Sequence, residues 1–240
     1  MMSTTLTPEP NHTESFDFII LAEDIHRTYN MGAREVKALR GVNLKIAPGR
    51  FVALKGRSGS GKTTLLNIIG GLDRPTDGIV QVFGRDLATL DENQLALWRR
   101  HKLGFVFQSF GLLPTLTAYE NVDLMLRLIG MPANDRRQRV LECIEIVGLK
   151  KWMHHRPLEM SGGQQQRVGI ARALAHHPRL ILADEPTGEL DSKSSSQIIA
   201  IFREIVESEG ITILISSHDP RVDEYVDEIE LLKDGQISSV

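Results

Sequence analysis

The sequence of 240 residues contains a single cysteine, Cys143, and no long uninterrupted apolar run. One cysteine excludes an internal disulfide and a thiolate-rich metal site, which suits a reducing cytoplasm. No apolar run reaches the roughly 18 residues that a membrane-spanning helix requires, and the N-terminus lacks a charged-then-apolar signal pattern. We therefore expect a chain that is soluble by itself.

The sequence also lacks a strong excess of charge of either sign. Its formal net charge is −3 at pH 7, and the Lys and Arg residues are scattered rather than arranged in a stripe. Such a chain has no field that would hold a nucleic-acid backbone, so DNA and RNA are not expected partners. Hydrophobic residues make up 41% of the chain and charged residues 25%, ordinary values for a globular protein with a sizeable core.

The chain divides into a short tail and one globular domain. Residues 1–15 are rich in Thr, Pro, Glu and Asn and predict a disordered tail, ahead of a domain over residues 16–240. Within the domain, strand-like and helix-like segments alternate. Apolar runs at residues 51–54, 180–183 and 211–215 predict buried strands, and residues 62–69 have helical spacing. This alternation indicates an α/β fold with a mostly parallel central sheet covered by helices.

Three segments depart from this alternation. Residues 18–48 have alternating apolar positions and predict a small antiparallel sheet on one edge. Residues 91–160 predict an inserted helical subdomain. Its predicted helices cover residues 91–100, 117–129 and 134–147. Near the C-terminus, short strands flank Asp234-Gly235 and predict a hairpin.

Residues 56–63 read GRSGSGKT and match the phosphate-binding pattern G-x-x-x-x-G-K-[ST] at every fixed position. The pattern lies between an apolar strand and an apolar helix, where backbone N–H groups and the helix N-terminus favour an anion. We expect Lys62 to reach the β- and γ-phosphates of a nucleotide, and the Thr63 hydroxyl to complete a magnesium shell. A Gly/Ser-rich turn that matches by chance is the alternative, and the flanking strand and helix argue against it.

Polar residues follow three of the predicted strands. Asp184 and Glu185 emerge after four apolar residues, at the strand end where open α/β sheets bind ligands. We predict that Asp184 accepts a hydrogen bond from magnesium-bound water and that Glu185 orients and polarises the attacking water. Gln108 follows residues 104–107, another short strand-like run, and is predicted to offer an amide oxygen to the metal. His218 is predicted to hydrogen-bond the γ-phosphate or fix the water. The alternative for each is a solvated surface group.

A second anion-binding device begins at Ser161-Gly162-Gly163. These residues precede a predicted helix over residues 164–175, whose N-terminus offers free N–H groups and a serine hydroxyl. The chain thus has two phosphate-binding devices but only one such lysine and one acid pair. The economical explanation is a head-to-tail dimer, in which each nucleotide lies between residues 56–63 of one copy and residues 161–164 of the other.

Together these motifs resemble those of the ATP-binding subunits of ABC transporters, from residue 16 to residue 237. The resemblance implies an ABC-type P-loop NTPase fold, with an N-terminal antiparallel β-subdomain and an inserted α-helical subdomain, and an ATPase that uses ATP and Mg²⁺. The implied catalytic residues are Glu185, His218 and Gln108. The implied magnesium site comprises Thr63, Gln108 and, through water, Asp184.

The resemblance also assigns the nucleotide contacts. Tyr29 stacks on the adenine, and Met160 stands where the family usually has leucine. The implied ATP-binding residues are Tyr29, Gly56, Arg57, Ser58, Gly59, Ser60, Gly61, Lys62, Thr63 and Thr64. The implied signature motif, which contacts the ATP of the partner subunit, comprises Ser161, Gly162, Gly163 and Gln164. Asp191 lies in the implied D-loop.

Partners and location follow from the same resemblance. A homodimer forms on ATP binding, and a membrane permease contacts residues 108–116, which begin at Gln108 and end at Leu116. The subunit then lies at the cytoplasmic face of the cell (inner) membrane, held there through the permease.

A narrower likeness, carried by segments such as residues 70–76 and 217–220, points to macrolide exporters, lipoprotein-release ATPases and peptide-antibiotic exporters. It implies export or extraction of a hydrophobic, peptide or lipoprotein substrate, while the cargo stays open. The alternative is the ATPase of a mechanotransmission complex that regulates cell-envelope processes without moving cargo. An ABC-type ATPase of DNA repair or translation is disfavoured, because a long coiled-coil insertion, zinc-ligand cysteines and a second ATPase domain are missing.

Overall fold

The computed structural model describes residues 17–32 and 34–238, so the predicted tail at residues 1–15 lies outside the described residues. The strands in this part of the chain are β1 (Ile20–Met31), β2 (Arg34–Ile46), β3 (Phe51–Lys55), β4 (Asp77–Val82), β5 (Arg85–Asp86), β6 (Leu103–Val106), β7 (Leu180–Asp184), β8 (Thr212–Ser216), β9 (Glu228–Lys233) and β10 (Gln236–Ser238). The α-helices are α1 (Lys62–Ile69), α2 (Glu92–Lys102), α3 (Ala118–Leu128), α4 (Ala133–Ile146), α5 (Gly162–Leu174) and α6 (Ser192–Glu209).

Six strands form the central sheet in the order β10-β9-β3-β8-β7-β6. All neighbouring pairs are parallel except β9 and β10, so the predicted mostly parallel sheet is confirmed. Along β3, Phe51 and Ala53 join one hydrophobic cluster while Val52 and Leu54 join the other. Because both faces are buried, the strands read as continuous apolar runs, and each large buried side chain contributes about 1.5–3 kcal/mol.

The carboxyl ends of β3, β6, β7 and β8 meet at one edge of this sheet, because these strands are parallel neighbours. The segments that leave them begin at Gly56, Phe107, Glu185 and Ser217. Open α/β sheets bind ligands at this edge. The topology therefore gathers the phosphate loop, Gln108, the acid pair and His218, although they are far apart in sequence.

A second sheet has four antiparallel strands in the order β2-β1-β4-β5. β1 and β2 confirm the predicted antiparallel segment, but the sequence analysis does not predict β4 and β5. β4 opens with Asp77-Gly78, residues that local propensity assigns to a turn. Gly78 has a φ of 93°, and a Cβ there would lie 2.3 Å from the carbonyl oxygen of Asp24. Glycine is thus required at this point of the pairing between β4 and β1.

Residues 91–160 contain a strand as well as helices, at the strand-like run that precedes Gln108. Leu103–Val106 is the edge strand β6 and pairs with β7. The preceding helix α2 buries Leu95 and Trp98 in the hydrophobic cluster that includes α1 and the antiparallel sheet. Helices α3, α4 and α5 pack on one another. Because strand pairing ties this stretch to the sheet, we propose that the helical subdomain begins after β6.

Helices α2 and α3 each begin one residue after the predicted start, because the first polar residue is a cap. Asp91 and Thr117 accept a hydrogen bond from the N–H group three residues on, and the side chain of that residue bonds back to the cap. Such caps stabilise a helix by about 0.5–2 kcal/mol. No helix within residues 17–32 and 34–238 combines the length and the apolar character needed to cross a membrane.

Candidate functional site

Residues 56–61 form the loop between β3 and α1. Gly61 caps α1 with a φ of 108°, and a Cβ there would lie 2.6 Å from a carbonyl oxygen of β2, so a side chain would clash. The Lys62 side chain is 7% exposed and folds back over the loop, where Nζ donates to the carbonyl oxygens of Gly56 at 2.9 Å and Arg57 at 3.3 Å. A buried cation therefore lies at a helix N-terminus, an arrangement that favours an anion.

The acid pair is held by a residue that the sequence analysis missed, the fully buried Ser216. Its hydroxyl donates to Asp184 Oδ1 at 2.5 Å and accepts the N–H of Glu185 at 3.0 Å. Glu185 has a φ of 44°, a left-handed conformation that costs about 1–3 kcal/mol outside glycine. The only sequence signal for Ser216 is its place two residues before His218, at the end of an apolar strand. Ser216 thereby fixes the strained backbone at Glu185.

The Glu185 carboxylate lies between a lysine and a histidine. Its Oε1 is 3.3 Å from Lys62 Nζ, and its Oε2 is 2.8 Å from His218 Nδ1. Because a carboxylate oxygen only accepts, Nδ1 carries the proton of this hydrogen bond, and a neutral ring leaves Nε2 as an acceptor. The Glu185 side chain is 16% exposed and that of His218 is 71% exposed. Three predicted site residues therefore form one hydrogen-bonded and ion-paired group.

A cavity of about 700 Å³ connects this group with the phosphate loop. Its size is that of a small-molecule site, and part of β2 (Val36, Lys37 and Ala38) forms one wall. The predicted site residues that line it are Arg57, Ser58, Gly59, Gly61, Lys62, Thr63, Thr64, Gln108, Glu185 and His218. Gly56 and Ser60, also of the loop, line a second cavity of about 670 Å³ instead.

Tyr29 is not among the residues that line the cavity of about 700 Å³ in the described part of the chain. Its hydroxyl donates to Asp73 Oδ2 at 2.7 Å, and the Arg27 guanidinium lies 4.4 Å from the centre of its ring. The neighbouring strand β2, which pairs with Tyr29 through Val36, does reach the cavity. Stacking of Tyr29 on adenine stays a prediction.

The residues of the predicted signature motif, 161–164, are likewise absent from the described lining of that cavity. Ser161 caps α5 by accepting the N–H of Gln164 at 3.3 Å, and Gln164 Oε1 accepts the N–H of Ser161 at 2.9 Å. Asp191 caps α6 and accepts the Ser194 hydroxyl at 2.6 Å, and these hydrogen bonds hold the pKa of Asp191 below its usual range. Neither cap is among the described residues that line the cavity at the phosphate loop of its own copy.

The donor atoms near the phosphate loop suit a magnesium ion. Thr63 and Gln108, with a hydroxyl and an amide oxygen, line the cavity, and Asp184 adds a carboxylate next to Glu185. Mg²⁺ prefers such oxygen ligands, retains waters and takes phosphate oxygens rather than an all-protein cage. In keeping with that chemistry, the described residues contain no group of three or more His, Cys, Asp or Glu able to hold a metal. The site fits Mg²⁺ together with a nucleotide.

The fold and the cavity define a class of protein, a nucleoside triphosphatase with a phosphate-binding loop and an acid pair at the ends of parallel strands. Residues 39–188 match the family model described as ABC transporter. A macrolide export ATP-binding/permease protein MacB of Syntrophobacter fumaroxidans is 47% identical over 221 residues, which are 91% of this chain and 31% of that protein. The chain thus spans about a third of that relative.

Other relatives match over nearly their whole length. An uncharacterized ABC transporter ATP-binding protein of Thermotoga maritima is 48% identical, with 90% of this chain and 92% of that protein covered. A structure described as a dimeric post-hydrolysis state of the ATP-binding cassette MJ0796 bound to ADP and Pi has a TM-score of 0.85 and 45% identity. It covers 92% of this chain and 97% of that one. MJ0796 is a protein of Methanocaldococcus jannaschii.

This chain belongs to the ABC transporter family, and it is an ATP-binding ATPase subunit of that family. The comparisons confirm the predicted family, the fold class and the ATPase class. The roles of individual site residues stay predictions.

Proposed function

We propose that this chain closes on MgATP as a head-to-tail homodimer and drives a separate membrane permease. One observation carries the proposal: the cavity at the phosphate loop holds the lysine, the acid and the histidine but none of residues 161–164 among its described lining. The α5 N-terminus is then free to complete the cavity of a second copy. The solved structures of MJ0796, which are described as dimeric, support this arrangement.

The side chains suggest how ATP is hydrolysed. Lys62 exchanges its hydrogen bonds to loop carbonyls for the β- and γ-phosphate oxygens, and this exchange releases Glu185 from their ion pair. The Glu185 carboxylate then accepts a hydrogen bond from the attacking water and polarises it. His218 is held by Glu185 through its Nδ1 proton, and in its imidazolium form Nε2 also carries a proton that it can donate to a γ-phosphate oxygen. The site also holds the water close to the γ-phosphate, and this proximity lowers the barrier to hydrolysis further.

Mg²⁺ supplies neutralisation of the phosphate charge when it is bound. Thr63 and Gln108 would hold it directly, and Asp184 through water. Ser216 occupies one oxygen of Asp184 and leaves the other for that water.

An apolar cavity beside Gln108 supports contact with a permease. It measures about 390 Å³ and lies between α2, β6 and α3, with Leu128 50% exposed at its lining. The adjacent loop, residues 108–116, exposes Leu113 and is held in shape by the buried Asn121, whose amide bonds to Leu113, Leu116 and Thr117. A rigid loop beside an apolar hollow suits a short apolar segment of a membrane protein.

The cargo class and the location follow by analogy. The relatives named as macrolide export proteins carry an ATP-binding and a permease part in one chain, which supports export or extraction of a hydrophobic, peptide or lipoprotein substrate. The subunit then works at the cytoplasmic face of the membrane, bound to its permease.

A mixing experiment tests the two-copy site. Lys62→Ala and Ser161→Arg each inactivate both sites of their own dimer, because each site needs Lys62 of one copy and Ser161 of the other. A mixed dimer retains one intact site, because its two defects, one from each copy, fall in the same site. A one-to-one mixture is therefore expected to recover about a quarter of the wild-type ATP turnover if copies pair at random and sites act independently.

Two tags on the two variants verify by pull-down in MgATP that mixed dimers form. Ser208→Arg, at an exposed serine near the end of α6, is the control and should stay fully active alone. A mixture in which mixed dimers form but turnover does not exceed the sum of the separate variants would contradict the shared site.

Leu128→Glu tests the permease contact. A charge in this cavity is expected to abolish co-purification of the chain with its membrane protein from detergent-solubilised membranes, because docking would have to strip water from the carboxylate, which is costly even beside Arg100 of the lining. Basal ATP turnover should be unchanged. Ile79→Glu, at an equally exposed residue of β4 in the antiparallel sheet, is the matched control. Loss of co-purification in both variants, or in neither, argues against this docking cavity.

A further inference from the structure

The buried amide of Gln166 links three segments of the site. Gln166 lies on α5, five residues after Ser161, and is 0% exposed. Its Nε2 donates to the carbonyl oxygen of Phe107 at 3.2 Å and to that of Pro186 at 2.8 Å. Phe107 directly precedes Gln108, and Pro186 directly follows Glu185. One side chain therefore connects the helix of the signature motif with the backbone at both residues.

The two hydrogen bonds that the amide donates explain why a glutamine occupies this buried position. A Gln amide has two N–H hydrogens, and here they serve two backbone carbonyl oxygens, of which that of Pro186 is buried. Its Oε1 is buried with no hydrogen-bond partner in the described part of the chain. Because an unpaired buried acceptor is unfavourable, an apolar side chain of the same length would suit packing alone better. The amide is thus explained by its donors.

Further hydrogen bonds connect α5 with the loop that contains Gln108 and with the neighbouring helix α4. Arg172, two turns further along α5, donates to the carbonyl oxygen of Phe110 at 3.1 Å and also contacts that of Gly111. At the same end of the helix, the buried Arg139 of α4 donates to the carbonyl oxygens of Leu174 and Ala175. The backbone around Gln108 is therefore held from α5 on both sides, and Gln166 also hydrogen-bonds the residue directly after Glu185.

We propose that Gln166 is a positioning residue for ATP hydrolysis, which transmits the position of α5 to Gln108 and Glu185. When the α5 N-terminus engages the nucleotide of the second copy, the amide holds the carbonyl groups of residues 107 and 186 in register with the helix. The Gln108 and Glu185 side chains then reach their working positions together. This inference rests on the roles proposed above for these two residues.

If Gln166 positions Gln108 and Glu185, replacing it should slow ATP hydrolysis without weakening ATP binding. Within the described part of the chain, the Gln166 amide donates to Phe107 and Pro186 rather than to the phosphate loop, and both of these residues adjoin residues assigned to the reaction. Gln166→Met, with a side chain of similar length and no donors, is therefore expected to lower kcat about tenfold to a hundredfold, because small misplacement of reacting groups has effects of this size. The KM for MgATP should stay within about twofold of the wild type.

Hydrogen exchange supplies a readout that packing alone would not change. In Gln166→Met, amides of residues 105–111 and 186–190 should both exchange faster, while those of residues 56–64 keep the wild-type rates. Gln166→Asn keeps the donors but is one methylene shorter, so it should have an intermediate kcat, and it serves if the methionine variant does not fold. Gln197→Met is the control, because Gln197 contacts α5 through Arg167 but reaches neither loop.

A kcat within twofold of the wild type in folded Gln166→Met, or unchanged kcat in Gln166→Asn, overturns the positioning role. Equal changes in kcat and KM, with faster exchange throughout the chain, overturn it in favour of a purely structural one. Failure of the proposed function looks different: Glu185→Gln would then remain active, whatever Gln166→Met does.

Discussion

Glu185→Gln is expected to lower ATP turnover at least about a hundredfold while ATP still binds. The carboxylate that would polarise the attacking water becomes an amide that cannot accept its proton, and loss of a general base has an effect of this size. The shape of the side chain is kept, so the hydrogen bond to His218 and the cavity lining should change little. Phosphate release under saturating MgATP measures the effect.

We expect the same variant to bind MgATP more tightly than the wild type does. Glu185 Oε1 lies 3.3 Å from Lys62 Nζ in the nucleotide-free chain, so the amide removes both a competitor for the lysine and a negative charge beside the phosphates. MgATP should therefore produce a dimer that persists, which light scattering after size exclusion detects. Glu204→Gln, at an exposed glutamate of α6, is the control and should hydrolyse ATP at the wild-type rate. Undiminished hydrolysis by Glu185→Gln would remove Glu185 from the mechanism.

Lys62→Ala is expected to weaken ATP binding about tenfold to a hundredfold. The lysine is the buried cation of the phosphate loop, and a charged hydrogen bond of this kind contributes about 1.5–3 kcal/mol. Each 1.4 kcal/mol is about tenfold in Kd. The loop itself should keep its shape, because it depends on glycines and on the start of α1 rather than on the Lys62 side chain.

Titration with a fluorescent ATP analogue measures this loss, with unlabelled ATP as competitor. Lys45→Ala, at an exposed lysine of β2, removes the same charge elsewhere and should leave the Kd unchanged. Raising the salt concentration should weaken binding more in the wild type than in Lys62→Ala, since screening acts on the charge that the variant lacks. An unchanged Kd in Lys62→Ala would discredit the phosphate-loop assignment.

Sequence patterns predicted the segments whose structure is local. The phosphate loop is contiguous, and its glycines, the apolar strand before it and the helix after it all lie within about twenty residues. Burial on both faces leaves an apolar run, so the runs at residues 180–183 and 211–215 predict the strands found at residues 180–184 and 212–216. Helix starts at Asp91 and Thr117 were displaced by one residue, because a cap and a first helical residue share the same polar signal.

Other features depend on pairing that a local pattern does not encode. The sequence indicates a strand-like run at residues 104–107, but only the pairing of Leu103–Val106 with β7 makes it the edge strand of the central sheet. β4 begins like a turn, yet it is a strand because β1 offers a partner. Tyr29 was assigned by resemblance, and its contacts with Asp73 and Arg27 could be found only once β1 and the segment after α1 had been brought together.

The sequence by itself determined the chemistry available to this protein: a phosphate loop with one lysine, one acid pair, and a second helix N-terminus without either. These are properties of residue types at short spacings. Only the tertiary structure decided that Glu185 meets both Lys62 and His218, that Ser216 holds its strained backbone, and that Gln166 reaches both loops. The physical reason is that such contacts join residues distant in the chain, and the order of strands in the sheet determines which of them meet.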